Sequence, residues 1–304
     1  MKRIAVLMGG RSSEREVSLQ SGKNVAEALT SLGSYEVIPV DVADDSLAAM
    51  PTDVDAAYIA LHGGWGENGG VQAALNALKI PYTGPGVAAS RIAMDKIETK
   101  KALEAAGVPT APWAVVSPDA AESPLPLPVV VKPPCDGSSV GISKVSSEDQ
   151  WKSALESACK AINLPTTNCQ PPTILVEEFI PGREFTVAVV NGEAWPVIEI
   201  VAKGGWYGYE EKYNSNETKY PFLEDDTLAS KLQCLAVAAY GAVGCRGVTR
   251  VDFRVDGAGN CYVLELNTSP GFTSHSLVPK SGIRTGLTFA GVCDRILSHA
   301  DYDR

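Results

Sequence analysis

Apolar and polar positions follow two periods over the first ninety residues. Ile4-Ala-Val-Leu-Met8 is an unbroken apolar run, which predicts a buried strand; Glu16 to Leu32 has helical spacing; Tyr35 to Val40 reads as a strand again. Asp55 to Leu61, Gly70 to Leu78 and Ile80 to Tyr82 repeat the strand, helix, strand order. Strands separated by helices predict an open parallel sheet, with ligand groups gathered in loops at the strand C-termini. A helix from Ala88 to Ala106, stopped by Gly107 with Pro109 beyond it, places the first boundary near residue 90.

From Ala114 the runs become short and β-rich. Ala114–Val116, Val129–Lys132 and Gly141–Val145 read as strands, Ser147–Ala161 as a helix and Ile174–Glu177 as a strand, which together predict an α+β lobe over residues 91–182. The Pro-rich stretches Ser123–Pro128 and Leu164–Pro172 are short enough to be loops. Residues 183–304 predict a second lobe: strands Glu184–Val190 and Trp195–Ile200, a polar loop Lys203–Tyr220, a helix Thr227–Val243, strands Gly247–Val255 and Asn260–Leu266, and a Gly/Ser/Pro-rich tail section.

Composition narrows the class. A chain of 304 residues suggests two or three domains, and 45% hydrophobic with 20% charged residues places it among ordinary globular proteins. A net charge of −10 argues against a nucleic-acid partner and for small ligands. The N-terminal apolar run is too short for a signal-peptide core, and the sequence has no run of about 18 apolar residues. A cytoplasmic protein without a membrane partner is the expectation. Its seven Cys are odd in number and no two lie closer than ten positions, so reduced, mostly buried thiols are expected rather than disulfides or zinc ligands.

The strongest local constellation is Arg250-Val-Asp252 with Glu265-Leu-Asn267. Alternate strand residues share a face, so a hairpin through Asp256-Gly-Ala-Gly259 would bring all four polar side chains together. Two acids and an amide are hard oxygen ligands suited to Mg²⁺ completed by substrate phosphates. A solvated sheet face with cross-strand charge pairs is the alternative. Lys132 opens a second constellation, a Gly/Ser loop through Ser138, Ser139 and Gly141 whose amides and hydroxyls suit phosphate oxygens; a plain hairpin turn is its alternative.

Other segments are more ambiguous. Gly64-Trp-Gly66-Glu-Asn-Gly69 matches a dinucleotide-binding pattern and raises a nicotinamide oxidoreductase as a rival, but Thr83-Gly-Pro-Gly86 stands where the ribose-binding acid is needed. His62 and Glu67 in that loop read as substrate-side groups or as helix caps. Glu14, at the end of the first strand, suits a substrate ammonium or simply the helix dipole. Glu177-Glu178-Phe-Ile180 through Glu184 reads as a nucleotide-contacting hinge or a turn, and the aromatic loop around Lys212-Tyr213 as a lid or an exposed sticky loop. His275 is a further acid-base candidate.

Taken in order, these segments resemble the D-alanine–D-alanine ligases of the ATP-grasp superfamily. Gly9 to Ser18, Leu61 to Glu67, Asp95-Lys96, Val131 to Gly141, Glu184 to Thr186, Lys212-Tyr213 and Leu264 to Ser276 carry the likeness. It implies a three-domain ATP-grasp fold of α/β and α+β type and a homodimer. Lys96 and Lys132 would hold the α- and β-phosphates, Ser139 and Lys212 further phosphate oxygens, Glu177 with the backbone of Glu178 and Ile180 the adenine, and Glu184 the ribose. Asp252, Glu265 and Asn267 would bind two Mg²⁺ ions, with Mn²⁺ as a substitute. Arg250 and the Gly271 N–H would form an oxyanion site, Glu14 would anchor the first D-alanine, with His62 beside it, and Ser276 with Leu277 would receive the second carboxylate. Glu14, Ser138 and Tyr213 correspond to a hydrogen-bonded triad that closes the lid. The implied product is D-alanyl-D-alanine, made through an acyl phosphate for peptidoglycan synthesis. A relative using D-lactate or D-serine as second substrate is the alternative.

Overall fold

The first apolar run forms β1 (Lys2–Gly9), which lies between β2 (Tyr35–Val42) and β3 (Ala56–Ile59) in an all-parallel sheet of order β2-β1-β3. The structure is a computed structural model and describes residues 1–135, 137, 140–162, 173–202 and 217–303. Both faces of β1 are covered, as its continuous apolar sequence requires. One face takes α1 (Arg15–Ser31), through Val25, Ala26 and Leu29; the other takes α2 (Gly70–Leu78), through Val71 and Leu75. Instead of a strand at Ile80–Tyr82 there are single bridges from Tyr82 to Ala57 and to Asp301.

The helix expected from Ala88 to Ala106 is broken. It forms α3 (Val87–Met94) and α4 (Lys96–Ala105), because Asp95 is extended (φ −90°, ψ 106°) and its carboxylate accepts from the N–H of Ile97 and Glu98. An N-cap of this kind starts a new helix and satisfies its orphan donors. The break also lets the Lys96 N–H donate to Pro134 O at 2.9 Å, beside the phosphate-loop candidate.

The second sheet has the order β4-β7-β5-β6, from β4 (Trp113–Val116), β5 (Val129–Lys132), β6 (Ser143–Val145) and β7 (Ile174–Glu178), with α5 (Trp151–Ile162) covering it. The third sheet is antiparallel. Its strands are β8 (Arg183–Val190), β9 (Glu193–Ala194), β10 (Ile198–Ile200), β11 (Val248–Val255) and β12 (Cys261–Asn267), and β11 sits between β8 and β12. The helix α6 (Asp226–Val243) packs on it beside α3 and α4, in one core with Leu103, Phe185, Val251 and Val263. So α4 belongs by packing to the third sheet, although it precedes the second in sequence.

The tail section after residue 270 forms α7 (Leu277–Arg284) and α8 (Phe289–Leu297). Thr288 caps α8 through Gly291 N–H, and Val292, Ile296 and Leu297 complete the core around β1 and α1. Tyr35 on β2 donates to Asp294 Oδ1 at 2.6 Å, so the end of the chain closes the first sheet. The expectation of reduced thiols is corrected at one position. Cys135 is disulfide-bonded, whereas Cys234, Cys245, Cys261 and Cys293 are thiols. A disulfide needs two Cys at a specific separation and orientation in space, which sequence spacing does not show. Among the described residues no helix is long and apolar enough to cross a membrane.

Candidate active site

The hairpin of β11 and β12 pairs Arg250 with Asn267 and Asp252 with Glu265, and a β-bulge follows at Asp252/Phe253. The four polar groups thus converge as strand alternation predicts. Arg250 grips Asp252 with both arms, Nε to Oδ1 at 3.0 Å and Nη2 to Oδ2 at 2.8 Å. Asn267 Nδ2 donates to the same Oδ2 at 3.0 Å, and Thr186 on β8, the register partner of Asp252 on its other side, donates to Oδ1 at 2.6 Å. Glu265 remains more open, with Lys96 Nζ 3.9 Å from its Oε2. The solvated-face alternative fails at Asp252, which is buried with every partner in place.

Charge is handled differently where α4 meets β5 and β7. Glu177 is buried and held between two lysines: Lys132 from β5, and Lys100 from α4 at 2.6 Å. Burial opposes its ionisation, but the two cations prevail and hold the carboxyl down at about 2. The Glu178 N–H is committed to Pro112 O at 2.9 Å, and Ile180 O accepts from Arg254 Nε at 3.2 Å. Arg254 also reaches Glu184 Oε2 at 3.2 Å, which orients the acid expected to meet a ribose. Lys100, Arg254 and Thr186 were not among the residues expected from sequence. Lys100 sits one helical turn after Lys96, the only local hint of a shared face.

The loops of the first sheet supply the third side. Glu14 precedes α1 without making a side-chain cap; its carboxylate instead faces Gly63, where an added Cβ would lie 2.9 Å from Oε2, and Gly137, where it would lie 3.8 Å away. Gly63 has φ +67°, so both its backbone and its neighbour demand glycine. Burial, then the nearby Glu14 charge, pushes Glu67 up to about 8, against the opposing pull of the Gly63 N–H and Arg250. Those same interactions, with a further one to Glu265, join this loop electrostatically to the hairpin. His62 is buried, and its ring nitrogens meet Ser269 O at 2.9 Å and Ser21 Oγ at 3.0 Å. Burial lowers its pKa, so the neutral ring is favoured and ties the loop to residues 269–272.

Gly271 lies against Ser276, whose Oγ would be 2.8 Å from an added Cβ, so a side chain there would collide with the turn. Ser276 Oγ accepts from Thr273 N–H at 2.9 Å, and Leu277 starts α7 with its side chain packed among Ile198 and Ile200. A cleft of about 680 Å³ opens beside this helix start, between Phe222, His275, Ser276, Lys280 and Phe289. Ser138, Ser139, Lys212 and Tyr213 lie outside the described residues. The Gly64–Gly69 segment forms a short 3₁₀ turn, Gly64–Gly66, ahead of α2, and Thr83 Oγ1 accepts from Ile59 N–H in a buried contact where a dinucleotide site needs an acid.

Known proteins resemble this chain over most of its length. A family model described as the D-ala D-ala ligase C-terminus matches residues 102–298, and one described as the D-ala D-ala ligase N-terminus matches residues 3–50. A D-alanine–D-alanine ligase of Syntrophotalea carbinolica is 45% identical, covering 98% of this chain and 96% of its own. One of Herminiimonas arsenicoxydans is 44% identical over 98% and 91%. The D-alanine–D-alanine ligase of Bacillus anthracis complexed with ATP superposes with a TM-score of 0.84 at 31% identity, over 98% of this chain and 97% of that one. The nicotinamide reading has no support in either the loop or the relatives. With the likeness running from the first parallel sheet through the acidic hairpin to the last helix, the chain belongs to the D-alanine–D-alanine ligase family.

Proposed function

We propose that this chain joins two D-alanine molecules into D-alanyl-D-alanine with cleavage of ATP to ADP and phosphate, supplying the dipeptide end of peptidoglycan precursors. One observation carries the reading: in a member of this family, Arg250, Asp252, Glu265 and Asn267 converge on one hairpin face, and the charges of Arg250, Glu265 and Glu14 all act on Glu67. The first carboxylate attacks the γ-phosphorus and ADP leaves, giving an acyl phosphate. The second D-alanine ammonium gives a proton to solvent, its free amine attacks the acyl carbon and loses a second proton to solvent, and phosphate leaves from the tetrahedral intermediate as the carbonyl re-forms.

Each residue then has a physical task. Glu14 pairs with the first ammonium, at the side of the site that already faces Gly63 and Gly137. Lys96 and Lys132 meet nucleotide phosphates, and Glu184, held by Arg254, meets the ribose. Glu177, held by Lys100 and Lys132, acts at the phosphate lysine Lys132 in addition to the adenine edge expected of it. Arg250 and the Gly271 N–H receive the developing oxyanion, for which one donor is typically worth about 3 kcal/mol. Ser276 and the first amides of α7 take the second carboxylate, as helix N-termini favour anions.

The donor set fits Mg²⁺. Among the described residues no three His, Cys, Asp or Glu side chains form a metal cluster, so Asp252 and Glu265 need the amide oxygen of Asn267 to complete a hard, all-oxygen set. Two Mg²⁺ ions, or Mn²⁺, held there would offset phosphate charge as it transfers. Asp252, Glu265 and Asn267 would hold such ions, and Arg250, paired here with Asp252, would stand beside them to receive the oxyanion.

The test is incubation with ATP, Mg²⁺ and D-alanine, reading ADP, phosphate and dipeptide. Equal amounts of the three are expected, and absence of D-alanine-dependent phosphate release refutes the reading. D-lactate, D-serine or L-alanine as second substrate is expected to give little product; preferential D-lactate or D-serine use would move the chain to that branch. A homodimer in a cytoplasmic enzyme is the accompanying proposal, checked by light scattering of the purified protein.

A further inference from the structure

Lys100 Nζ already meets three acceptors: Glu177 Oε1 at 2.6 Å, Thr110 Oγ1 at 2.6 Å and Ala111 O at 3.2 Å. Two of these contacts are hydrogen bonds, to Thr110 and Ala111, and the third is an ion pair with Glu177; the Lys100 side chain is 1% exposed, so its charge is committed inside the protein. Lys132 shares the same carboxylate through the other oxygen but borders the phosphate loop and is less enclosed. Two lysines on one carboxylate leave one positive charge in excess in a buried place, which an incoming phosphate would balance.

We propose that Lys100 is a positioning residue for the nucleotide: as the permanent partner of Glu177, it leaves Lys132 able to move its charge onto a phosphate. Without Lys100, Glu177 would have Lys132 as its sole buried counter-ion, and drawing Lys132 away would strand a carboxylate in the interior. Transfer of Lys132 to the nucleotide would then carry that desolvation cost. Lys100 itself never touches substrate. The inference rests on the ligase reading for its nucleotide, but not for its geometry.

Binding of ADP and of a non-hydrolysable ATP analogue to the full chain, measured by calorimetry without D-alanine, tests it apart from turnover. Lys100→Met is expected to weaken nucleotide binding and raise the ATP KM about tenfold, while kcat at saturating ATP and the D-alanine KM stay within about twofold. Lys100→Arg should restore most of the affinity. In a Glu177→Gln background, adding Lys100→Met should cost no more than about twofold further, because the carboxylate that competes for Lys132 is gone. Should Lys100→Met fail to fold, Lys100→Gln, which keeps a donor for Thr110 and Ala111 but no charge, carries the same expectations. Unchanged nucleotide affinity overturns the proposal. So does a parallel loss of kcat and both KM values with melting temperature, or a full tenfold loss persisting in the Gln background. Nucleotide binding by the native chain without dipeptide formation would instead refute the ligase reading and leave this one standing.

Discussion

Two carboxylate networks face the same site and are built in opposite ways. On the hairpin, Asp252, Glu265 and Asn267 come from adjacent strands, their cation Arg250 is two residues from Asp252, and Glu265 stays partly open. Under the nucleotide end, Glu177 is sealed between lysines from α4 and β5. The first network has ligand capacity in reserve. The second spends its capacity on the protein itself. From this contrast the open hairpin acid, Glu265, should govern chemistry with little effect on folding, and the sealed Glu177 should govern stability.

The largest effect expected is at the open end. Glu265→Ala should lower D-alanine-dependent phosphate release on the order of 10³-fold, the scale of losing several kcal/mol of charge stabilisation at a metal site. Its circular dichroism and melting temperature should stay near those of the native chain. A stable but active Glu265→Ala protein would remove the metal role, and an unfolded one would erase the contrast.

Glu177→Gln tests the closed end. Breaking a buried ion pair by removing one partner costs about 3 kcal/mol. Because its folded pKa is lowered to about 2 from an ordinary 4.5, the stabilisation is complete above pH 4.5 and is lost as pH falls toward 2. Denaturant melts of both proteins should therefore differ at pH 7 and converge across that window. A constant difference at all pH values would show that packing, not charge, explains the loss.

How legible each network was follows from the same contrast. Arg250, Asp252, Glu265 and Asn267 could be placed together because strand alternation and a short hairpin loop fix their register without any other part of the chain. Lys100 could not. Lys96-Ile-Glu-Thr-Lys100-Lys101 reads as a solvated helix surface, yet Lys100 is buried while Lys101 is exposed, a difference set by a carboxylate far along the chain. Asp95 carried a capping signal that the surrounding helical pattern hid. The last helices were obscured by Pro279, Gly282, Gly286 and Gly291. Gly282 sits inside α7 because a Cβ there would lie 2.5 Å from Val292 and 2.6 Å from Trp195, so close packing overrides helix propensity.

A smaller effect sharpens the division within the hairpin. Arg250→Met removes an oxyanion donor and should lower kcat about 10²-fold, with the ATP KM little changed. Asp252 keeps Thr186 and Asn267 but loses its cation, so the fold should persist at neutral pH with a lowered melting temperature. If the ATP KM rises instead while kcat holds, Arg250 belongs to the nucleotide end.

Lys96 stands on α4 between the two networks, and its substitution is the mildest and most discriminating test. It shares a helix face with Lys100 but points to Glu265, 3.9 Å away, a separation too long for a strong hydrogen bond. An ion pair this loose at a partly open carboxylate contributes little to stability. Drawing its charge toward a phosphate would not strand a carboxylate in the interior, because Glu265 is partly open. Lys96→Met should raise the ATP KM about tenfold, leave the D-alanine KM unchanged and shift the melting temperature by no more than about 2 °C. If the melting temperature falls as far as in Glu177→Gln, Lys96 is part of the sealed network, and the boundary between the two lies at the hairpin rather than along α4.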